Sequence, residues 1–270
     1  MTERQRPGLG VSRRAWLTHF LGLAAAPSGF AQDTPRVVTV GFLRAYEPYS
    51  HAAGNGQIHG FDVDVSQRLC ELLGYRMQIL SDGLPGLARR LQAGEVAWLG
   101  NQVLMTPDNR RQMDFVRPAY ASIQLSAIQH EDDDRDFLSL DDAFGKRLGV
   151  LAGSGVEEQA RGALGRSVQS YARVVDALHD LSQKKLDLVL EENLIADYYI
   201  DKHHLPLKVA APFIEPIAVG LGVRKGDRDR NALLSKAIRQ MLEDGSFKRI
   251  SDKWFGYDVS RSRISHDQTR

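Results

Sequence analysis

A chain of 270 residues that is 43% hydrophobic, 26% charged and 8% aromatic has the make-up of a globular protein, which excludes a disordered chain, a collagen or a long coiled coil. The formal charge of +1 is uneven: residues 1–31 hold Arg4, Arg6, Arg13 and Arg14 against Glu3, leaving about −2 elsewhere and no electrostatic reason to expect nucleic acid. A single cysteine, Cys70, excludes an intramolecular disulfide framework and a cysteine metal cluster.

In chain order, the first feature is an address. Arg13-Arg14 precede an apolar run to Ala26 that is too short to span a bilayer, and Gly29-Phe30-Ala31 offers a small-x-small cleavage site. Residues 1–31 read as a signal peptide cleaved near Ala31, with export to the periplasm. Ser12-Arg13-Arg14-Ala15-Trp16-Leu17 resembles a twin-arginine signal with Trp in the usual Phe position, so twin-arginine and general secretion both stay open. No cysteine stands at the junction for a lipid anchor.

From Val37 onward, short β-rich runs alternate with amphipathic stretches, the pattern of α/β layers around a largely parallel sheet. Strands are predicted at 37–42, 77–80, 96–99, 148–151, 186–190 and 219–223. Phe61, Val65, Leu69 and Leu72 share one helical face with Gly74 at its end, and Leu84, Leu87 and Leu91 repeat the device before Gly94. Further helices are predicted over 157–163, 174–184, 193–203, 230–242 and 247–254. The acidic stretch His130 to Asp136 reads as an exposed loop, after which a second strand-helix series begins with the turn Gly153-Ser154-Gly155. Residues 259–270 read as a polar, frayed tail.

Several chemistries are missing. None of the eight histidines sits in a His-Glu-x-x-His pattern, so no metal or other cofactor is expected. There is no Gly-x-Ser-x-Gly elbow and no phosphate loop, and Gly54, Gly56 and Gly60 miss the dinucleotide spacing and read as a turn between strand and helix. Cys70 falls on the buried face of the helix from Phe61, as a packed small hydrophobe.

Many blocks in order then carry a family resemblance. Val40-Gly-Phe-Leu-Arg-Ala-Tyr46-Glu-Pro48-Tyr49 and Gly60-Phe-Asp-Val-Asp64 are followed by Gly100-Asn-Gln-Val-Leu-Met-Thr-Pro107 and Met113-Asp-Phe-Val-Arg-Pro-Ala-Tyr120. Then come Lys146-Arg-Leu-Gly-Val-Leu-Ala-Gly153, Leu186-Asp-Leu-Val-Leu190, Val223-Arg-Lys-Gly226 and Gly245 to Gly256. Over residues 36–258 the chain resembles the family 3 extracellular solute-binding proteins of ABC importers, the polar amino acid receptors, and most of all their cystine-binding branch.

The resemblance implies a type II periplasmic binding protein fold, two α/β lobes joined by hinge strands, with lobe 1 over 36–124 plus 218–258 and lobe 2 over 125–217. It implies a monomeric, non-enzymatic receptor that captures a small polar solute, an amino acid or cystine-like molecule, and delivers it to a membrane ABC permease. In that frame Tyr46 packs on the ligand stem, and Asn101 and Gln102 offer hydrogen bonds. Ser154 and Gly155 present amides to a carboxylate, and Glu192 stands where the family places an Asp for the α-ammonium group.

The departures bear on function. The family's Thr-Pro-x-Arg arginine, which clamps the α-carboxylate, is replaced by Asn109, and Arg110 next to it would serve only with a shifted loop. Leu104 replaces a small hydroxyl residue, Ala97 replaces an Asp, and Phe213 to Val219 is more apolar than the usual hinge. Losing a charge-assisted hydrogen bond costs about 1.5–3 kcal/mol, roughly ten- to a hundredfold in affinity, so an ordinary amino acid is expected to bind weakly. Two other readings remain: a sensing or scaffold receptor with a degenerate site, and a cyclohexadienyl dehydratase-like enzyme using Glu191 or Glu192 as an acid.

Overall fold

The computed structural model describes residues 35–261, so the leader read over 1–31 and the tail beyond Arg261 lie outside the described residues. β-branched residues open this chain as β1 (Arg36–Phe42), followed by a small antiparallel sheet of β2 (Ala45–Tyr46), β3 (Ser50–Ala52) and β4 (Ile58–His59). The glycine-rich turn after β3 is therefore a hairpin plus a helix start. Gly60 has φ 147°, and a Cβ there would lie 2.2 Å from the Tyr49 carbonyl oxygen. That close approach lets the Pro48 and Tyr49 carbonyls accept the N–H groups of Phe61 and Asp62, so α1 (Phe61–Leu72) starts without a side-chain cap.

The first series continues with β5 (Tyr75–Ser81), α2 (Leu84–Ala93), β6 (Trp98–Leu104), α3 (Pro107–Gln112), β7 (Met113–Phe115) and β8 (Ala121–Ile123). Gly94 closes α2 in the left-handed conformation, as its position after the apolar stripe predicts. The second series holds β9 (Leu125–His130), β10 (Leu148–Leu151), α4 (Gly155–Leu164), β11 (Val168–Tyr171) and α5 (Val174–Ser182). It goes on through β12 (Leu188–Glu192), α6 (Asn193–His203) and β13 (Leu207–Pro212). The chain then returns as β14 (Ile217–Arg224), α7 (Arg228–Glu243) and α8 (Ser246–Phe255).

Two larger sheets result. One has the order β5-β1-β6-β14-β7 with β8 paired to β14, and the other the order β11-β10-β12-β9-β13. Strands linked through helices run parallel, β1 with β5 and β6, and β10 with β11 and β12. β14, β9 and β13 run antiparallel to their neighbours, so the expected parallel character holds only for the helix-linked strands. The chain passes between these sheets twice, at Gln124 and over residues 213–216. Asn193 fixes the first crossing: its Oδ1 accepts the Gln124 N–H at 3.0 Å while its own N–H donates to the Gln124 carbonyl at 3.0 Å.

The largest core gathers Tyr49, Phe61, Trp98, Tyr120, Phe247 and Phe255 behind the first sheet, each such side chain contributing about 1.5–3 kcal/mol by burial. Leu194 and Ile195 at the start of α6 enter the same core, although α6 also packs on the second sheet. Cys70 is buried there, and burial pushes its thiol up to about 12. Ala97 is buried too, its carbonyl accepting from Arg230 at 3.2 Å. Val259 is buried with its N–H on Ser251 Oγ at 2.9 Å, so the packed chain reaches into the stretch expected to be tail. No helix among the described residues is long and apolar enough to cross a membrane.

Candidate ligand cleft

A cleft of about 450 Å³ opens where the strand ends of the two sheets meet the crossings. Its walls are apolar: Leu104, Ile123, Leu125, Leu151, Val156, Leu190, Ile195, Ile214 and Ile217. Its polar lining is Tyr46, Gln124, Ser154, Gln159, Glu191 and Glu192, with Gly155 at the start of α4. Among the described residues no Arg, Lys or His lines it.

The two glutamates come from the end of β12, where strand passes directly into α6. Paired against β9, this strand end is buried, and Glu191 is only 8% exposed. The Glu192 N–H donates to Glu191 Oε1 at 2.8 Å, and the Tyr46 hydroxyl lies 3.2 Å from both Glu192 carboxylate oxygens. Burial pushes Glu191 up to about 8, the Glu192 charge adding to the rise and the Glu192 N–H opposing it. Burial likewise pushes Glu192 up to about 7, opposed by the Tyr46 hydroxyl. Burial first, then the Glu192 charge, raises the Tyr46 phenol. With no basic residue in the lining, the pair is an uncompensated acidic spot in a greasy cleft.

Of the residues selected from sequence, Tyr46, Leu104, Ser154, Gly155 and Glu192 line the cleft, whereas Asn101, Gln102, Asn109 and Arg110 do not. Asn101 is buried on β6, its Oδ1 accepting the Leu43 N–H at 2.8 Å and its Nδ2 donating to Ser50 Oγ at 2.7 Å. Gln102 donates its backbone N–H to Asp62 Oδ2 at 3.0 Å, and its side-chain amide is buried without a partner among the described residues. Asp62 itself is fully buried under the Tyr120 hydroxyl at 3.2 Å, and burial raises its carboxyl well above the usual range.

Helix α3 accounts for the places of Asn109 and Arg110. Thr106 caps it, its Oγ1 accepting the Asn109 N–H at 3.2 Å, and Asn109 Nδ2 donates to the Leu104 carbonyl at 2.9 Å. Arg110 donates from Nε to the Met105 carbonyl at 2.9 Å, with its guanidinium 5.7 Å from the Phe115 ring centre. Both side chains thus brace the β6–α3 turn.

The glycine turn before α4 is occupied by its own chain. Ser154 Oγ donates to the Leu151 carbonyl at 2.7 Å and accepts the Glu157 N–H at 3.1 Å, while the Gly153 N–H donates to Glu157 Oε2 at 2.7 Å. Gln124, Gln159, Ile195 and Ile214 escaped selection. Only the apolar run from Phe213 gave any hint of them, because the others depend on where the crossings fall.

Beside the cleft, Glu47 joins the β2–β3 turn to α6. It accepts from the Tyr198 hydroxyl at 2.8 Å, the Tyr199 hydroxyl at 3.1 Å and Lys202 Nζ at 2.8 Å. Burial works to raise this carboxyl, but the Lys202 and Tyr198 hydrogen bonds outweigh it and hold it at about 2. The Tyr257 hydroxyl donates to Asp197 Oδ2 at 2.6 Å, a second tie to α6.

Residues 38–257 match the family model of bacterial extracellular solute-binding proteins, family 3. The chain is 28% identical over 223 residues to the L-cystine-binding protein TcyJ of Escherichia coli, covering 82% of this chain and 84% of that one. It is 28% identical over 242 residues to the L-arginine-binding protein of Pseudomonas aeruginosa, covering 85% and 91%. Among solved structures it is similar to the unliganded, open L-cystine solute receptor of Neisseria gonorrhoeae, with a TM-score of 0.67 at 26% identity over 84% of this chain and 95% of that one.

Proposed function

Because the chain belongs to the bacterial extracellular solute-binding proteins, family 3, we propose that it is the periplasmic receptor of an ABC importer, holding a small solute in the cleft until a membrane permease takes it. The observation that carries this reading is the cleft itself, about 450 Å³ of apolar wall with Glu191 and Glu192 set into it at the two chain crossings. In this reading residues 36–124 with 218–258 form one lobe and 125–217 the other, and the crossings at Gln124 and 213–216 are the hinge. Tyr46 and Leu104 act from the first lobe; Ser154, Gly155 and Glu192 act from the second. The leader over 1–31 is removed on export, and the receptor works as a monomer.

The relatives named for cystine and arginine support a ligand with an ammonium group, which Glu192 and Glu191 would hold. A dehydratase acting on a dicarboxylate would need cations in the cleft, and none lines it among the described residues. A thermal-shift screen of the refolded, ligand-stripped protein against amino acids, amines, dipeptides and organic acids tests the receptor reading. A ligand at a hundred times its Kd adds about 2.7 kcal/mol and raises the midpoint by several degrees. A cooperatively melting protein shifted by no small solute would overturn the reading in favour of a scaffold.

A further inference from the structure

The geometry points to a narrower ligand class for this cleft: an organic ammonium ion with an apolar body and no carboxylate, an amine in place of an amino acid. This rests on the receptor reading above. The buried Glu191 carboxyl and the half-buried Glu192 carboxyl face the cavity, and no basic side chain does so among the described residues. A ligand carboxylate would have to leave water with no counter-charge and share a low-dielectric space with Glu191 and Glu192. An ammonium group meets the opposite situation: its three N–H donors face carboxylate oxygens that, among the described residues, receive only the Glu192 N–H and the Tyr46 hydroxyl.

The side chains at the clamp position and the Gly153 N–H already have partners within the chain. The Arg110 guanidinium is held on the Met105 carbonyl at 2.9 Å, and the Asn109 amide on the Leu104 carbonyl at 2.9 Å. At the start of α4, the Glu157 carboxylate receives the Gly153 N–H at 2.7 Å and is joined by Arg161 Nε at 3.0 Å, so the turn already holds an anion of its own. The rest of the ligand meets Leu104, Ile123, Leu190 and Ile214, surfaces that reward methylenes or a ring, beside the neutral amides of Gln124 and Gln159.

Matched pairs that differ only by the carboxylate isolate the claim. Isothermal titration of the refolded full chain with phenethylamine and L-phenylalanine, histamine and L-histidine, agmatine and L-arginine, and cystamine and L-cystine compares each amine with its parent. At least one amine is expected to bind tenfold or more tightly than its parent, and Glu192→Gln to weaken that amine tenfold or more while the parent stays weak. A parent amino acid binding more tightly than its amine overturns the inference and leaves the receptor reading intact. So does an amine whose affinity survives Glu192→Gln and Glu191→Gln together. If neither pairs nor any other small solute bind to folded protein, the receptor reading falls with it.

Discussion

The α3 segment and the β12–α6 junction are made of similar material, short runs of charged and amide side chains at a helix start, yet the structure uses them in opposite ways. At α3, Asn109 and Arg110 find acceptors on their own backbone, the carbonyls of Leu104 and Met105, and the segment is locally complete. At the junction, Glu191 and Glu192 are acceptors only once ionised, and a strand end offers them, among the described residues, one N–H and the Tyr46 hydroxyl. A donor-rich side chain near free carbonyls satisfies itself, whereas a buried carboxylate away from bases stays in need of a partner. Ligand demand in this cleft therefore sits with the acids.

The sharpest test of that contrast is the pH dependence of stability without ligand. Glu191 and Glu192 titrate higher in the fold, at about 8 and about 7, than the ordinary 4.5. Their raised values favour the protonated fold, so the stabilisation is complete below about 4.5 and is lost as pH rises through 7 to 8. For Glu191 the difference is on the order of 5 kcal/mol. Glu191→Gln should therefore raise the melting midpoint by roughly ten degrees at pH 8.5 and hardly at all near pH 4.5. Equal effects at both pH values would show that the carboxyl group is not held in a desolvated site.

Glu47 provides the opposite sign in the same molecule. Held at about 2, below its ordinary 4.5, it contributes stability above 4.5 that is lost as pH falls towards 2. Glu47→Ala should cost about 1–3 kcal/mol at neutral pH, by leaving the Tyr198 and Tyr199 hydroxyls and Lys202 without their shared acceptor, and should flatten the acid limb of the stability curve. Melts at pH 3 and pH 7 measure this; an acid limb as steep as in the unaltered protein would assign it to other carboxylates.

Smaller still is the expected effect of Tyr46→Phe. It removes one donor from Glu192 and keeps the ring on Tyr49, at 4.8 Å between centres, so about 1 kcal/mol is at stake. The Glu192 carboxyl should rise further, and ligand affinity should fall a few-fold at pH 6 but less at pH 8.5, where the carboxylate is ionised without help. An affinity change that is the same at both pH values would mean that the hydroxyl contacts the ligand itself and does not act through Glu192.

How much of this was legible in the sequence follows from the range of the interactions. Helices α2 and α6 and strand β10 could be read because their apolar period and their caps are local: Gly94 ends α2, and β10 is an unbroken apolar run. The antiparallel strands β7, β8, β9 and β13 could not, since they are short and are defined by partners up to about a hundred residues away. Within the cleft, Tyr46 and Glu192 were accessible because family motifs mark their positions. Gln124 and Ile214 were not, because a crossing acquires its place only once two sheets exist. Asn101 and Gln102 lie outside the cleft lining, and buried amides look alike in sequence, whether they face a ligand or, like Asn101, bond Ser50 and the Leu43 N–H.

The weakest expected effect addresses the other half of the comparison, the absent clamp. Arg110→Ala removes a hydrogen bond to the Met105 carbonyl and the contact with Phe115, neither of which faces the cleft. It should cost the fold about 1 kcal/mol and change ligand affinity by less than twofold. Asn109→Arg removes the bond to the Leu104 carbonyl and adds a cation beside a residue of the cleft wall. If α3 is turned from the cavity as its hydrogen bonds indicate, this variant also leaves amine affinity within about twofold and gains none for amino acids. Titration of both variants with one amine and its parent amino acid decides the matter. A tenfold gain for the amino acid in Asn109→Arg would show that the turn can swing inward on binding, and that a single substitution separates this acidic cleft from an amino acid clamp.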